Sequence, residues 1–245
     1  YPAKHYALIL SNHGGGILRG FGTDDSQYGN GLNVEEIDHA LGESGVHFDL
    51  IGFDACLMAT IGVAHQLAEH SDYMVFSQDV IYGWGNSYEL FLSKLVDSPS
   101  VDGRQLATWI VEDYARWWDH WWQFPPPDGT IISAIDLTRV QDLSFSVSLL
   151  ATQLIGAYDD NANAIQNARS GTEASSQSDY RYHVDLYHFA QRLVESRQHL
   201  DEQVVLAAET VMSELSNAVV SEFHLYGHPQ SHGLSIFFPI NEDEY

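Results

Sequence analysis

The chain has 245 residues, 44% hydrophobic and 18% charged, a globular balance on a length that can bury a full core. Its 34 acids against 10 bases give a formal charge of −24, which repels a phosphate backbone and excludes nucleic acid as an expected partner. One cysteine excludes an internal disulfide framework, and no apolar run reaches the ~18 residues of a membrane-spanning helix.

Lys4 and Lys94 are the only lysines; the other eight bases are arginines. Abundant acids with scarce lysine suit a salty or extracellular setting, and equally a solvated acidic surface that aids solubility. A secreted or extracellular location is the expectation. The opening YPAKHYALIL has no basic start, long apolar stretch or small-residue cleavage site, so no signal peptide is visible. The first residue is Tyr1 rather than Met, which reads as a segment of something longer.

In chain order, HYALILSNH (5–13) predicts a buried strand. A Gly-rich loop, GFGTDDSQYGNGLN (21–34), follows. NVEEIDHAL (33–41) predicts a helix with an Asn cap and acids in its first turn. HFDLIGFDAC (47–56) is a second strand and TIGVAHQLAEH (60–70) a helix. DYMVFSQ (72–78) is a third strand. In 103–122, Leu106, Ile110, Tyr114, Trp117 and Trp121 recur every three or four residues, as one face of a helix. PPPDG (125–129) is a loop, TIISAIDL (130–137) a strand and RSGTEASSQSDYR (169–181) a loop. Val204, Ala208, Val211 and Leu215 mark a helix over 201–219, and HGLSIFFPI (232–240) reads as a last buried strand. Strands alternating with helices imply an α/β fold, a mostly parallel sheet covered on both faces. No loop forces a boundary, so one domain over 1–245 is expected.

In open α/β sheets, sites form beyond the carboxyl ends of strands. The first strand ends in SNHGGG and the second in FDAC. If the two are parallel neighbours, His13 and Cys56 emerge at one edge. Imidazole and thiol are the minimum set for nucleophilic attack on a carbonyl. The N–H groups of Gly14 and Cys56 could then hold the oxyanion. The plain alternatives are a buried Cys acting as a small hydrophobe and a His in a turn.

ALILSNHGGG resembles the strand-to-histidine segment of the clostripain family of cysteine peptidases. DLIGFDACLMATIGVAHQLAEHSDYMVFSQ resembles that family's cysteine segment over some thirty residues. TIISAIDLTRV, VDLYHFAQRL and HGLSIFFP are similar to its later core segments, so the likeness spans almost the whole chain. The family belongs with caspases, gingipains and legumains. The resemblance implies a caspase-like α/β sheet, His13 as catalytic histidine, Cys56 as nucleophile, and cleavage of peptide or protein substrates, typically after Arg or Lys. It also implies further strands upstream and more chain downstream, so that the stretch would be truncated at both ends. Asp54 matches an acid that the family places at the basic-residue pocket; the bland reading is that it caps local N–H groups. Relatives with basic preference tend to supply a second acid from the loop 77–88. Here Trp84 stands near that place, and Asp79, the loop's only acid, lies earlier. Family members often cut themselves between the histidine and cysteine segments, but Arg19 is the only base there, so an intact single chain is expected.

Other features rank lower. His224, His228 and His232 could bind a metal, with surface histidines the preferred reading. Asp24 and Asp25 could hold the calcium that clostripain uses, although two adjacent loop acids usually face water. No cofactor is expected to be required beyond that. WWDHWWQFPPP could form an aromatic platform, and a non-catalytic peptide- or glycan-binding module on the same fold is the alternative function.

Overall fold

The computed structural model describes residues 3–24, 26, 29–83, 85–120, 131–176 and 180–240, with the side chains of 119 and 120 excepted. Five strands form the central sheet: β1 (Ala7–Ser11), β4 (Phe48–Asp54), β5 (Ser71–Phe76), β6 (Ile131–Asp136) and β8 (Val219–His224), in the order β1-β4-β5-β6-β8. β1, β4 and β5 pair in parallel. β6 runs against both neighbours, so β8 shares the direction of the first three. The sheet is thus mainly parallel, as expected.

Both faces are covered, which is why β4 and β6 read as continuous apolar runs and not as alternating ones. Leu50, Val75, Ile132 and Ala134 pack under Ile110, Val111 and Tyr114 of α5 (Gly103–His120) and Phe91 of α4 (Tyr88–Asp97). Ile51, Phe53, Met74 and Phe76 face the other layer. That layer holds α2 (Val34–Ser44), α3 (Ile61–Leu67), α6 (Val140–Ser170), α7 (Leu186–Glu195) and α8 (Glu202–Ala218). Asn33 caps α2 in a reciprocal box: its side chain accepts from Glu36 N at 2.8 Å, and its own N–H donates to Glu36 Oε2 at 2.9 Å. Thr60 caps α3 through Val63 N at 3.2 Å.

Three expectations are corrected. The loop 21–34 contains a short hairpin, β2 (Phe21–Asp24) with β3 (Asn30–Leu32). The strand within 232–240 is only β9 (Ser235–Phe237), and it leaves the main sheet to pair with β7 (His183–Asp185). The fifth strand of the main sheet is β8, which follows α8 without a break, so the change of period from 3.6 to 2 is hidden. Residues 121–130, with Trp121 and the PPPDG segment, lie outside the described residues. Among the described residues, no helix is long and apolar enough to cross a membrane.

Candidate active site

Register sets the site. Ser11 pairs with Asp54 at the carboxyl ends of β1 and β4, so two residues further on His13 and Cys56 emerge side by side. Both border one cleft of about 620 Å³, together with Gly14, Leu57, Val80 and Tyr180. The His13 carbonyl accepts from Gly22 N at 2.8 Å, and Gly15 N donates to Gly20 O at 2.9 Å. These bonds fold the histidine loop back against the hairpin. Gly14 touches the other strand end so closely that a Cβ would collide with the Cys56 carbonyl oxygen. Gly16 has φ +67, and a Cβ there would lie 2.6 Å from His183 Cε1. α1 (Gly16–Arg19) follows.

The cysteine turn is held from below. Leu57 has φ 63, a left-handed conformation that costs a leucine about 1–2 kcal/mol. It persists because Leu57 N donates to Asp79 O at 3.1 Å and Ala59 N to Ser77 O at 2.8 Å. Cys56 Sγ accepts from Ile81 N at 3.4 Å. Burial pushes the thiol's pKa up, and the Asp79 and Asp54 charges add to that against the Ile81 bond. The N–H groups of Gly14 and Cys56 donate to no backbone acceptor among the described residues.

The two expected pocket acids do not border this cleft. Asp54 is 6% exposed and lies beneath the segment 85–88. Its Oδ2 accepts from Tyr88 OH at 2.8 Å and Asn86 N at 3.2 Å, while Oδ1 has no hydrogen-bond partner among the described residues. Burial and the Asp54 carboxylate together push the Tyr88 phenol's pKa well up. Asp79 is 1% exposed and is no rim residue. Its carboxylate accepts from Ser175 Oγ at 2.7 Å, Ser176 N at 2.6 Å and Val80 N at 2.7 Å. His228 Nε2 lies 3.1 Å from Asp79 Oδ2. Trp84 lies outside the described residues.

Sequence reasoning missed the polar core behind the cysteine turn. His228 is a buried residue, not a surface one, and its Nδ1 lies 3.0 Å from Glu173 Oε1. Burial opposes its charge, but the two carboxylates prevail and raise its pKa to about 9. His183 borders the same cavity of about 20 Å³. Neither of its ring nitrogens has a hydrogen-bond partner among the described residues, and burial lowers its pKa to about 4. His224 instead meets Glu222, and His232 meets Asp185. The signal was the spacing of histidines in HPQSHG; its acidic partners lie far away in sequence.

Of the two loop acids considered for calcium, Asp24 alone is among the described residues. Asp24 Oδ1 is taken by Ser26 N and Ser26 Oγ, and Asp25 lies outside the described residues. Among the described residues no group of three or more His, Cys, Asp or Glu is arranged to hold a metal ion. In the aromatic run, Trp118 is buried and Trp117 packs against the α5 layer; the rings from 121 on lie outside the described residues.

Comparison with known proteins adds three findings. The sequence profile of the clostripain family matches residues 1–245. Clostripain of Hathewaya histolytica is 25% identical over 309 residues, an alignment covering 100% of this chain and 55% of that protein; the chain spans about half the length of this curated relative. A secreted C11 cysteine protease from Bacteroides thetaiotaomicron, solved with an irreversible peptide inhibitor, superposes with a TM-score of 0.73 at 21% identity, over 99% of this chain and 68% of that one. An inactive zymogen C11 protease from Parabacteroides distasonis gives 0.68 at 20% identity, over 98% and 65%. At these identities the structures establish a shared fold, the caspase-like α/β architecture.

Proposed function

The chain belongs to the clostripain family, and we propose that it forms the core of a cysteine endopeptidase in which Cys56 attacks and His13 moves the proton. The observation that carries this is the register: equivalent positions beyond two paired parallel strand ends put an imidazole and the chain's one thiol on a single cleft. Burial raises the thiol's pKa, so deprotonation is taken to accompany attack. The His13 imidazole takes the Sγ proton as sulfur bonds to the scissile carbonyl carbon. The oxyanion accepts from the N–H groups of Gly14 and Cys56, donors preorganised by the backbone. The imidazolium gives its proton to the leaving amine, and an acyl-enzyme remains. Water, deprotonated by His13, then releases the acid and restores the thiol.

The finer reading is a preference for Arg or Lys before the scissile bond. Asp54 supports it: the carboxylate is buried, one oxygen is unpaired, and it precedes the nucleophile by two residues. A basic side chain would supply the missing donor. Asp79 has no such opening and serves instead to anchor the cysteine turn. We take the full-length protein to act outside the cell, a reading supported by its acidic, lysine-poor composition.

The decisive measurement is peptide cleavage by the full-length protein. Cys56→Ala and His13→Ala should each lower kcat/KM by about a thousandfold or more, with unchanged thermal unfolding. Activity within tenfold of wild type in either variant rejects the dyad.

A further inference from the structure

Among the described residues, one Lys or Arg borders the cleft: Arg19, the last residue of α1. Its stem lies across Gly15, where a Cβ would collide with that of Arg19. Its guanidinium sits over the Tyr180 ring, with Cζ 4.9 Å from the centroid. Nη1 donates to the Tyr180 hydroxyl at 3.1 Å. A long cationic side chain is thus held in one place on the cleft wall.

Among the described residues, no acid pairs with it there. The chain carries 34 acids, and Arg104, Arg116, Arg192 and Arg197 each have an Asp or Glu within ion-pairing reach. Arg19 has none among the described residues. Its neighbours around the cleft are glycines, Thr23, Leu57 and Val80. A surface this acidic repels acidic peptides at long range, so a local cation beside the nucleophile matters for which peptides can lie there.

We propose that Arg19 and Tyr180 form a carboxylate-binding subsite of the cleft, taking either an acidic side chain or a free C-terminal carboxylate of the bound peptide. The inference rests on the peptidase reading for what occupies the cleft. Nη1 is committed to Tyr180, which leaves the other guanidinium N–H groups in their planar fork. The Tyr180 hydroxyl accepts from Arg19 and keeps its own hydrogen to donate. One carboxylate oxygen can meet the guanidinium and the other the phenol, and a neutral amide matches that pair without the charge. Arg19 is exposed, so water screens the interaction and the preference is modest.

The test compares peptides carrying Glu or Gln at each position within three residues of the scissile bond, and the same peptide with a free or an amidated C-terminus. The full-length wild type should favour the carboxylate at one position by about three- to tenfold in kcat/KM. In Arg19→Gln that ratio should fall to about one, and in Arg19→Glu it should invert. A response confined to the C-terminal pair assigns the site to the chain end; a response within the Glu/Gln series assigns it to a side chain. The same pairs are titrated by fluorescence anisotropy against Cys56→Ala, with and without Arg19→Gln. If the carboxylate preference appears in binding while wild type cleaves nothing, the peptidase reading fails and the subsite stands. No preference above twofold in both readouts, or one that survives Arg19→Gln, overturns the proposal.

Discussion

Two buried carboxylates bracket Cys56, and the regions around them differ. In the polar core behind the cysteine turn, Asp79 accepts from Ser175, Ser176 and Val80 and sits against the His228 ring. Burial alone would raise its pKa, yet the close His228 ring and the bonds from Ser176 and Ser175 hold it below the usual value. Beneath the segment 85–88, Asp54 has two donors on one oxygen and none on the other. Equal burial therefore does not mean equal role. A carboxylate surrounded by protein donors is structural, whereas the buried Asp54 keeps one oxygen without a donor among the described residues.

The largest expected effect comes from removing the charge in the saturated region. Asp79→Asn leaves the His228 imidazolium with Glu173 alone and disturbs the carbonyl that holds Leu57 N. Breaking one partner of a buried pair costs about 3–5 kcal/mol, which for a chain of this size lowers Tm by roughly 10 °C. Urea unfolding of wild type and variant checks it. A loss under about 1 kcal/mol would put Asp79 in the same class as Asp54 and end the comparison.

The two histidines of the same core sharpen it through pH. The His228 pKa is raised to about 9, above its unfolded value near 6.5. Its stabilisation is complete below about pH 6.5 and is lost as pH rises through 9, a change of about 3 kcal/mol. The His183 pKa is lowered to about 4 by burial. The unfolded chain takes up that proton first, so stability falls as pH drops from about 6.5 through 4, by a similar amount. His228→Gln should flatten the alkaline side of the stability profile and, because His228 also holds the Asp79 pKa down, weaken the acid side as well; His183→Gln should flatten the fall between about pH 6.5 and 4 and leave the alkaline side. Alkaline loss of the same size in His228→Gln would place that titration elsewhere.

The sequence made the cleft legible and the polar core illegible for one physical reason. His13 and Cys56 each end an apolar run, and parallel pairing of consecutive runs carries both to one edge. A local pattern plus one topological step is enough. His228 acquires its role from Asp79 and Glu173, which only the folded chain brings to it. No period or cap announces such a meeting, so HPQSHG read as surface. The helix α6 was also missed; its inward positions recur every three or four residues over much of its length, but several of them are polar, Ser146, Asn161 and Arg169 among them, which breaks the apolar stripe. The run 232–240 reads as a strand because it is apolar, but apolarity does not choose a partner. It pairs with β7 beside the cysteine turn, where Ser235 N donates to Ala59 O at 2.9 Å.

The smallest expected energetic effect is the one that tests availability. Asp54→Asn keeps an acceptor for Asn86 N and Tyr88 OH and replaces the unpaired oxygen by an amide group, so stability should change by about 1 kcal/mol or less. On the proposed preference, kcat/KM for peptides with Arg or Lys before the scissile bond should fall roughly ten- to a hundredfold, the worth of one charge-assisted hydrogen bond. Peptides with an uncharged residue there should change far less, because no ion pair is lost. The comparison needs substrates that differ only at that residue, assayed with the wild type alongside. If wild type itself shows no preference for Arg or Lys, the acid missing from the position of Trp84 has decided the pocket. Asp54 would then be a buried cap for the segment above it, with an oxygen left unpaired for no substrate's benefit.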